Sequence, residues 1–314
     1  MVFLCNEKAK RIRGTMNILV TGSDGQLGNE IRENITGKNK WFFYPHQQLD
    51  ILNEEQIARV LLDNNINVVV NCAAYTNFDG CKLNERRAFE INSLGPENLA
   101  KALCQKEDGL LIHISSDYVF DGERRWGKYK PTDKPNPISV YGKTKNLGDQ
   151  KIKQSGCNYL IFRVSWLYGG GVKKNFVKTI LEKLKNEDSF GVVNDQTGTP
   201  TYVKDFAKFI VETLDKFTIQ ELKDRCGIYH FANKGKTTWY RLTKQIKKYK
   251  NRYDPHFRSN CKVKKIRTRD YPAVDTRPTY SPLSIKKTEQ VFEYCGKNWK
   301  KALKECIIRY IKEK

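Results

Sequence analysis

The stretch from Asn17 to Gly28 constrains the fold of this chain more than any other. NILVT (17–21) is an apolar run of strand length, and Gly22, Gly25 and Gly28 follow it in the order G-x-x-G-x-x-G. A polar-apolar stretch then runs to about Asn34, which predicts strand, tight turn and helix. The first glycine permits the turn, the second lets the backbone approach a pyrophosphate, and the third lets the helix pack close on the sheet. The helix amino end meets phosphates with unpaired N–H groups and the positive end of its dipole. The alternative is an ordinary glycine-rich turn. The strand before, the helix after and the βαβ continuation favour a dinucleotide site.

The continuation alternates strand and helix. Strands are predicted at Trp41–Tyr44, Asn67–Asn71, Gly109–Ser115 and Asn158–Val164. Helices are predicted at Glu54–Asn64 with Asn53 as N-cap, at Glu85–Gln105 with a kink or break at Gly95-Pro96, and at Tyr141–Gln154 after a long loop, Asp117–Pro137. The strands are apolar throughout, the pattern of a parallel sheet covered by helices on both faces. The expected fold is therefore α/β, a Rossmann-type doubly wound parallel sheet with a smaller C-terminal substrate-binding lobe. Beyond about Ser165 the alternation weakens: Phe176–Leu184 and Val203–Leu214 read as helices, Phe190–Val193 and Gly227–Phe231 as short strands, and a last helix starts near Trp299. The expected division is a disordered basic arm or misassigned upstream start at 1–15, a dinucleotide-binding domain at 16–168, and at 169–314 mainly a substrate lobe, with segments returning to the first domain.

Composition narrows the classes of function. The chain has 314 residues, of which 39% are hydrophobic, enough for a substantial core. The longest apolar run, around Ile66–Ala74, falls short of the roughly 20 residues that cross a bilayer, so no membrane partner is expected. In residues 1–15 the basic side chains follow the short apolar stretch instead of preceding it, unlike a secretory signal. Nine cysteines without C-x-x-C, and four histidines without H-E-x-x-H, argue for reduced thiols in a cytoplasm and against a structural zinc site. The net charge of +22 is spread along the chain, densest at Lys244–Lys250 and Lys262–Arg269. That distribution suits a surface attracting anionic small molecules, and no nucleic-acid partner is expected.

Three constellations carry chemistry. Tyr141 and Lys145 fall four apart, on one side of a helical turn, where an ammonium near a phenol favours the phenolate and lets the tyrosine exchange a proton while hydride moves at a carbonyl. Ser115-Ser116-Asp117 ends the fourth strand, and a Ser116 hydroxyl there can donate to a carbonyl becoming an alkoxide. Asn71-Cys-Ala-Ala74-Tyr75-Thr76 ends the third strand, where small side chains let a cofactor lie across the tip. Asp50 lies where an acid often meets the adenosine half of a dinucleotide, whereas Lys38 and Lys40 can tolerate a 2′-phosphate, so NADH and NADPH both stay open.

Together these residues resemble the dTDP-4-dehydrorhamnose reductase family of the extended short-chain dehydrogenase/reductase superfamily. The resemblance is carried in order by TGSDGQLG (21–28), LDI (49–51), VVNCAAYT (69–76), HISSDYVFDG (113–122), SVYGKTKNLG (139–148), FRVSWLYG (162–169), VNDQTGTPT (193–201) and GIYHFANKGKTTWY (227–240). It implies Tyr141 as proton donor, Lys145 on the nicotinamide ribose and lowering the tyrosine pKa, and Ser116 on the substrate carbonyl. It implies cofactor contacts at Gly22, Gly25, Gln26, Leu27, Gly28, Asp50, Ile51, Ala74, Tyr75 and Thr76, and a nucleotide sugar facing Ser116, Asp117 and Trp166. The implied reaction is reduction by NADPH or NADH of the C4 ketone of dTDP-4-dehydro-beta-L-rhamnose, in a monomer or homodimer. Another nucleotide-linked 4-keto-6-deoxy sugar, or a non-catalytic regulatory relative that binds NADP, are the rival expectations. Ser116 replaces the family's usual threonine and keeps its hydroxyl, whereas Phe78-Asp79-Gly80-Cys81-Lys82 departs from the usual helix start. Some members dimerise through magnesium held by glutamates; Glu30 matches one such position, but Lys204 replaces another, so no metal site is expected.

Overall fold

The computed structural model describes residues 14–171 and 175–313. Of the expected arm at 1–15, only Gly14 and Thr15 fall among the described residues, and both are exposed.

The first half runs β1 (Asn17–Thr21), α1 (Gln26–Glu33), β2 (Lys40–Tyr44), α2 (Glu54–Asp63), β3 (Val68–Asn71), α3 (Phe78–Leu83), α4 (Glu85–Phe89), α5 (Gly95–Cys104), β4 (Leu110–Ser116), α6 (Val140–Gln154) and β5 (Asn158–Val164). Then follow β6 (Leu167–Tyr168), α7 (Phe176–Asn186), β7 (Ser189–Val193), β8 (Thr197–Gly198), β9 (Thr201–Tyr202), α8 (Val203–Lys216), α9 (Ile219–Lys223), β10 (Gly227–Phe231), β11 (Thr237–Thr238), α10 (Trp239–Tyr253), β12 (Lys262–Ile266), α11 (Lys286–Val291) and α12 (Trp299–Lys312).

Six strands form one parallel sheet in the order β10-β5-β4-β3-β1-β2, the Rossmann-type doubly wound arrangement. Successive side chains of β1 feed opposite faces, as strand geometry requires. Ile18 and Val20 join Leu27, Ile31 and Phe206 on one face, whereas Leu19 joins Ile57, Leu61, Leu99 and Ile152 on the other. Each such fully buried aliphatic side chain contributes about 1.5–3 kcal/mol. The sheet thus takes α8 and β10 from the second half of the chain, beyond β6.

Local chemistry sets the helix starts. Asn53 accepts from the Gln56 amide at 3.0 Å, and Ser139 caps α6 by accepting from the Gly142 amide at 3.1 Å. The unusual segment after Thr76 does begin a helix: Asn77 accepts from the Gly80 amide at 3.0 Å, and a Cβ at Gly80 would stand 2.7 Å from the Asn77 amide group. The long helix expected over 85–105 is broken by a π turn, Glu90–Leu94, between α4 and α5. The reason lies in Pro96, which has no N–H to give to the carbonyl of Asn92. The Gly95 amide reaches back to Glu90 instead, the wider π spacing.

A second core holds the smaller lobe together, built from Val177, Ile180, Leu184, Phe190, Leu242, Ile246, Trp299 and Leu303. Two of its elements lie in the basic runs. Lys244–Lys250 belongs to α10, whose Leu242 and Ile246 turn inward, and whose Lys250 is itself buried and paired with Asp254 at 2.6 Å. Lys262–Ile266 is β12, parallel to β7, with Lys262, Lys264 and Lys265 all in solvent.

Candidate active site

The carboxyl ends of β1, β3 and β4 meet at one edge of the sheet, and the glycine turn shapes its floor. Gly22 adopts φ +58°, and a Cβ there would lie 2.8 Å from the backbone of Ala73. At Gly28 a Cβ would come within 2.6 Å of Ser23. A side chain at Gly22 would push the β1 turn and the β3 tip apart, and one at Gly28 would push α1 away from the turn at Ser23. Gly25 caps α1 without a side-chain hydrogen bond, which leaves the first-turn amides for an anion. The cradle therefore fits a dinucleotide pyrophosphate.

Not every expected cofactor residue turns its side chain to this cradle. Leu27 packs into the sheet core, Ile51 packs where a Cβ on Gly95 would strike it, and the Gln26 amide donates to the Gly169 carbonyl at 2.8 Å. These three can serve a cofactor only through their backbones. Asp50 caps its own turn by accepting from the Leu52 amide at 3.0 Å. Ala74 and Tyr75 are half-buried and Thr76 exposed at the tip of β3. The backbone of Tyr75 is gripped on both sides by Asn92, whose side chain accepts from its N–H at 2.9 Å and donates to its carbonyl at 3.1 Å. Asn92 sits in the π turn and was not foreseen, because the sequence carries no signature for a π turn.

Ser116 ends β4, and its hydroxyl acts on the phenol of Tyr141, which α6 carries. The Ser116 oxygen also accepts from the Tyr118 amide at 3.1 Å. Phe78 and Tyr118 stand edge-on to the Tyr141 ring, with centroids 6.2 and 5.9 Å away. The Tyr141 residue is half-buried, yet its hydroxyl lies deep enough that burial pushes the phenol well above its ordinary value near 10, against the Ser116 hydrogen bond. A neutral phenol is thus held in readiness to donate.

The Lys145 ammonium, expected beside this phenol, has other hydrogen-bond partners in the structure. The Lys145 nitrogen donates to the Ile114 carbonyl at 2.6 Å and lies 3.3 Å from His113 Nε2. Burial lowers its pKa to about 8, against the nearby Asp149 and Cys81. Helical spacing puts both residues on one side of α6. The helix itself is tied to the sheet by the buried Asp149–Arg163 ion pair at 3.1 Å.

Asp117 is more enclosed than a substrate-facing acid. Its Oδ2 accepts from Ser165 at 2.9 Å and from Ser281 at 2.5 Å, and its Oδ1 from Ser116 at 3.3 Å. It knots β4, the end of β5 and the segment before α11 into one node beneath the site. Burial raises its pKa from 3.8 to about 6, opposed by the three serine hydroxyls. The folded state therefore binds the proton more tightly than the unfolded chain. The resulting stabilisation is complete below about pH 4 and is lost as pH rises through about 6. Asp117→Asn removes that titration. Its melting temperature is expected to change less between pH 4 and pH 7 than the wild type's, by the equivalent of about 3 kcal/mol. Thermal melts across that range check it, and parallel curves for the two proteins would refute it.

Trp166 occupies the left-handed region at φ +49°, a costly conformation for a bulky side chain. Its surroundings hold it there. A Cβ on Gly198 would stand 2.4 Å from the indole, and Trp239 stacks on the other side with centroids 3.6 Å apart. Trp239 is fixed in turn by its N–H to Gln196 at 3.1 Å and by Phe176 at 4.4 Å. Trp239 lies in a segment that resembled the family, yet only this stack identifies it as part of the site wall. Trp239→Ala is expected to raise the substrate KM about tenfold with kcat little changed, since the stack positions without reacting. Steady-state kinetics separate the two, and an unchanged KM would count against the wall.

Arg277 lies 4.7 Å over the Phe78 ring, 3.6 Å from Asp79, with its Nε buried and unpartnered. A guanidinium with a spare buried donor suits an anionic ligand. Glu30, the position like a magnesium ligand, is held by Arg309 at 2.6 Å. Among the described residues no group of three or more His, Cys, Asp or Glu side chains could hold a metal ion.

A family profile, RmlD substrate binding domain, matches residues 16–311. The dTDP-4-dehydrorhamnose reductase of Aggregatibacter actinomycetemcomitans is 35% identical over 290 residues, covering 91% of this chain and 97% of that protein. The crystal structure of a dTDP-4-dehydrorhamnose reductase from Clostridium acetobutylicum is 36% identical with a TM-score of 0.84, covering 94% of this chain and 99% of that one. The Bacillus anthracis enzyme, in complex with NADP, is 30% identical with a TM-score of 0.85, covering 94% and 100%.

Proposed function

The chain belongs to the dTDP-4-dehydrorhamnose reductase family, and on that premise we propose that it reduces the C4 ketone of dTDP-4-dehydro-beta-L-rhamnose to the alcohol, giving dTDP-beta-L-rhamnose. NADPH or NADH, when bound, supplies the hydride to C4 and leaves as the oxidised nicotinamide. Tyr141 gives its phenolic proton to O4 as negative charge develops there, and Ser116 donates a hydrogen bond to the same oxygen. The tyrosine recovers its proton from solvent, so the step balances as one hydride and one proton added across the C=O bond. Gly22, Gly25 and Gly28 admit the pyrophosphate, the backbone at Ala74 and Tyr75 supports the nicotinamide half, and Lys145 serves its ribose. The stacked Trp166 and Trp239 wall the sugar nucleotide, and Arg277 offers charge to its diphosphate.

The single observation that carries this reading is that the Ser116 hydroxyl and the Tyr141 phenol act on each other at the sheet edge that also holds the glycine cradle. We assign the enzyme to the cytoplasm, in keeping with the free thiols among the described cysteines. The test is oxidation of NADPH and of NADH, followed in the presence of dTDP-4-dehydrorhamnose or its UDP counterpart. Turnover is expected with the dTDP sugar. Turnover with the UDP sugar alone would reassign the substrate, and cofactor binding without turnover on either would mark a regulatory relative.

A further inference from the structure

Behind the catalytic helix a line of buried polar side chains crosses the sheet. Asn71 ends β3, His113 is its partner in the β4 register, and Lys145 lies over them from α6. All three are essentially inaccessible, at 1%, 0% and 1% exposure. The contacts run in one direction. Asn71 Oδ1 accepts from the Ala73 N–H at 3.1 Å and from the Thr21 hydroxyl at 2.7 Å. A backbone N–H can only donate, so it fixes which end of the Asn71 amide is oxygen. The Asn71 nitrogen then faces His113 Nδ1 at 3.1 Å, and it too can only donate. Nδ1 must accept, which places the proton of the neutral ring on Nε2. That N–H points at the Lys145 nitrogen, 3.3 Å away.

We propose that His113 is a positioning residue that sets the charge of Lys145: the polarity imposed by Ala73 passes through Asn71 to the imidazole and aims an N–H donor at the lysine nitrogen. A neutral amine satisfies this geometry completely, accepting from His113 and donating to the Ile114 carbonyl. An ammonium turns N–H against N–H, and reversing the histidine tautomer only moves the same conflict back to Asn71. The chain of contacts therefore disfavours the charged lysine. Other groups face the lysine from every side. Asp149 on α6 and Cys81 on α3 favour the ammonium. Arg163 on β5 engages Asp149, and the Cys81 thiol is itself pushed up to about 11 by burial, so it stays neutral. Tyr141, one turn earlier, is a neutral phenol. His113 is held neutral by burial, well below its usual 6.5. The lowered lysine pKa, about 8, accords with this balance. The inference concerns the free protein and rests on the proposed function only in giving Lys145 a role.

The test is nitrogen NMR of the free enzyme labelled at its four histidines with 15N, titrated from about pH 6 to about pH 10. His113→Phe assigns the resonances. His113 is expected to stay neutral as the Nε2–H tautomer and to show one inflection near pH 8, absent in Lys145→Met. In Asn71→Asp a carboxylate accepts from Nδ1–H, reverses the tautomer and offers Nε2 to the ammonium. The inflection is then expected about one unit or more higher. An Nδ1–H tautomer in the wild type would overturn the proposal, as would an inflection that survives Lys145→Met or stays put in Asn71→Asp. If Asn71→Asp does not fold, the wild-type tautomer and the Lys145→Met titration decide the matter alone. None of these spectra requires substrate, so their outcome is separable from the identity of the sugar.

Discussion

Tyr141→Phe is expected to lose about two to four orders of magnitude in kcat while its fold and NADPH affinity are retained. The substitution removes one oxygen and leaves the ring packed against Phe78 and Tyr118. Ser116 keeps its bonds to the Tyr118 amide and to Asp117, so no buried polar atom is stranded. What disappears is the phenol beside Ser116, the acid that gives a proton to the new alkoxide. Because the phenol lies well above pH 7, the wild type carries that proton throughout the neutral range. Turnover under saturating NADPH, with cofactor binding measured by quenching of protein fluorescence, separates the two effects. Near-normal turnover would remove Tyr141 from the mechanism. A matching loss of NADPH binding would instead make it a packing residue.

The second large effect is expected for Lys145→Met. The variant should lose about a hundredfold in kcat/KM and bind NADPH about tenfold more weakly, since one charged donor is removed from the cofactor edge of the site. The pH dependence follows from the lysine's pKa of about 8 in the fold against 10.5 in the open chain. The ammonium is present below about pH 8 and is lost above it, so the wild-type rate should fall along an alkaline limb near that value. The methionine variant should lack the limb. For stability the sign is opposite. Between about pH 8 and 10.5 the unfolded chain binds more protons than the fold, so the wild type gains stability as pH rises through that window and the variant does not. Identical pH profiles for the two proteins, with equal NADPH affinity, would leave Lys145 without a catalytic part.

The elements that were legible from sequence are those whose signal is local. NILVT at 17–21 and Gly227–Phe231 appear as strands at the expected residues, and the last helix begins at Trp299. Their apolar side chains are buried in the direction that periodicity indicates. Lys244–Lys250 hid α10, because charge dominates its composition and only Leu242 and Ile246 mark an inner face. Lys262–Ile266 hid β12 for a related reason: one short row of side chains packs and the lysines between them do not. The glycine turn could be read because three backbone approaches each demand the same residue type. By contrast, the serines that close on Asp117 stand 48 and 164 positions away, and no spacing rule connects them. The partners of the Lys145 nitrogen were hidden as well. Helical geometry fixes where side chains start, but the buried acceptors at Ile114 and His113 decide where the lysine ends.

The node at Asp117 also bears on the order in which a growing chain becomes competent. Ser116 and Ser165 are synthesised with the sheet, whereas Ser281 follows more than a hundred residues later, after the whole of α10 and β12. Until that last hydroxyl arrives, the carboxylate beneath the catalytic serine lacks its shortest hydrogen bond, and the floor of the site is open on one side. A ribosome-bound intermediate holding a finished sheet and cofactor cradle would therefore still lack a finished reaction centre. Assembly proceeds from nucleotide grip to chemistry, and the final stitch waits for the segment that follows β12.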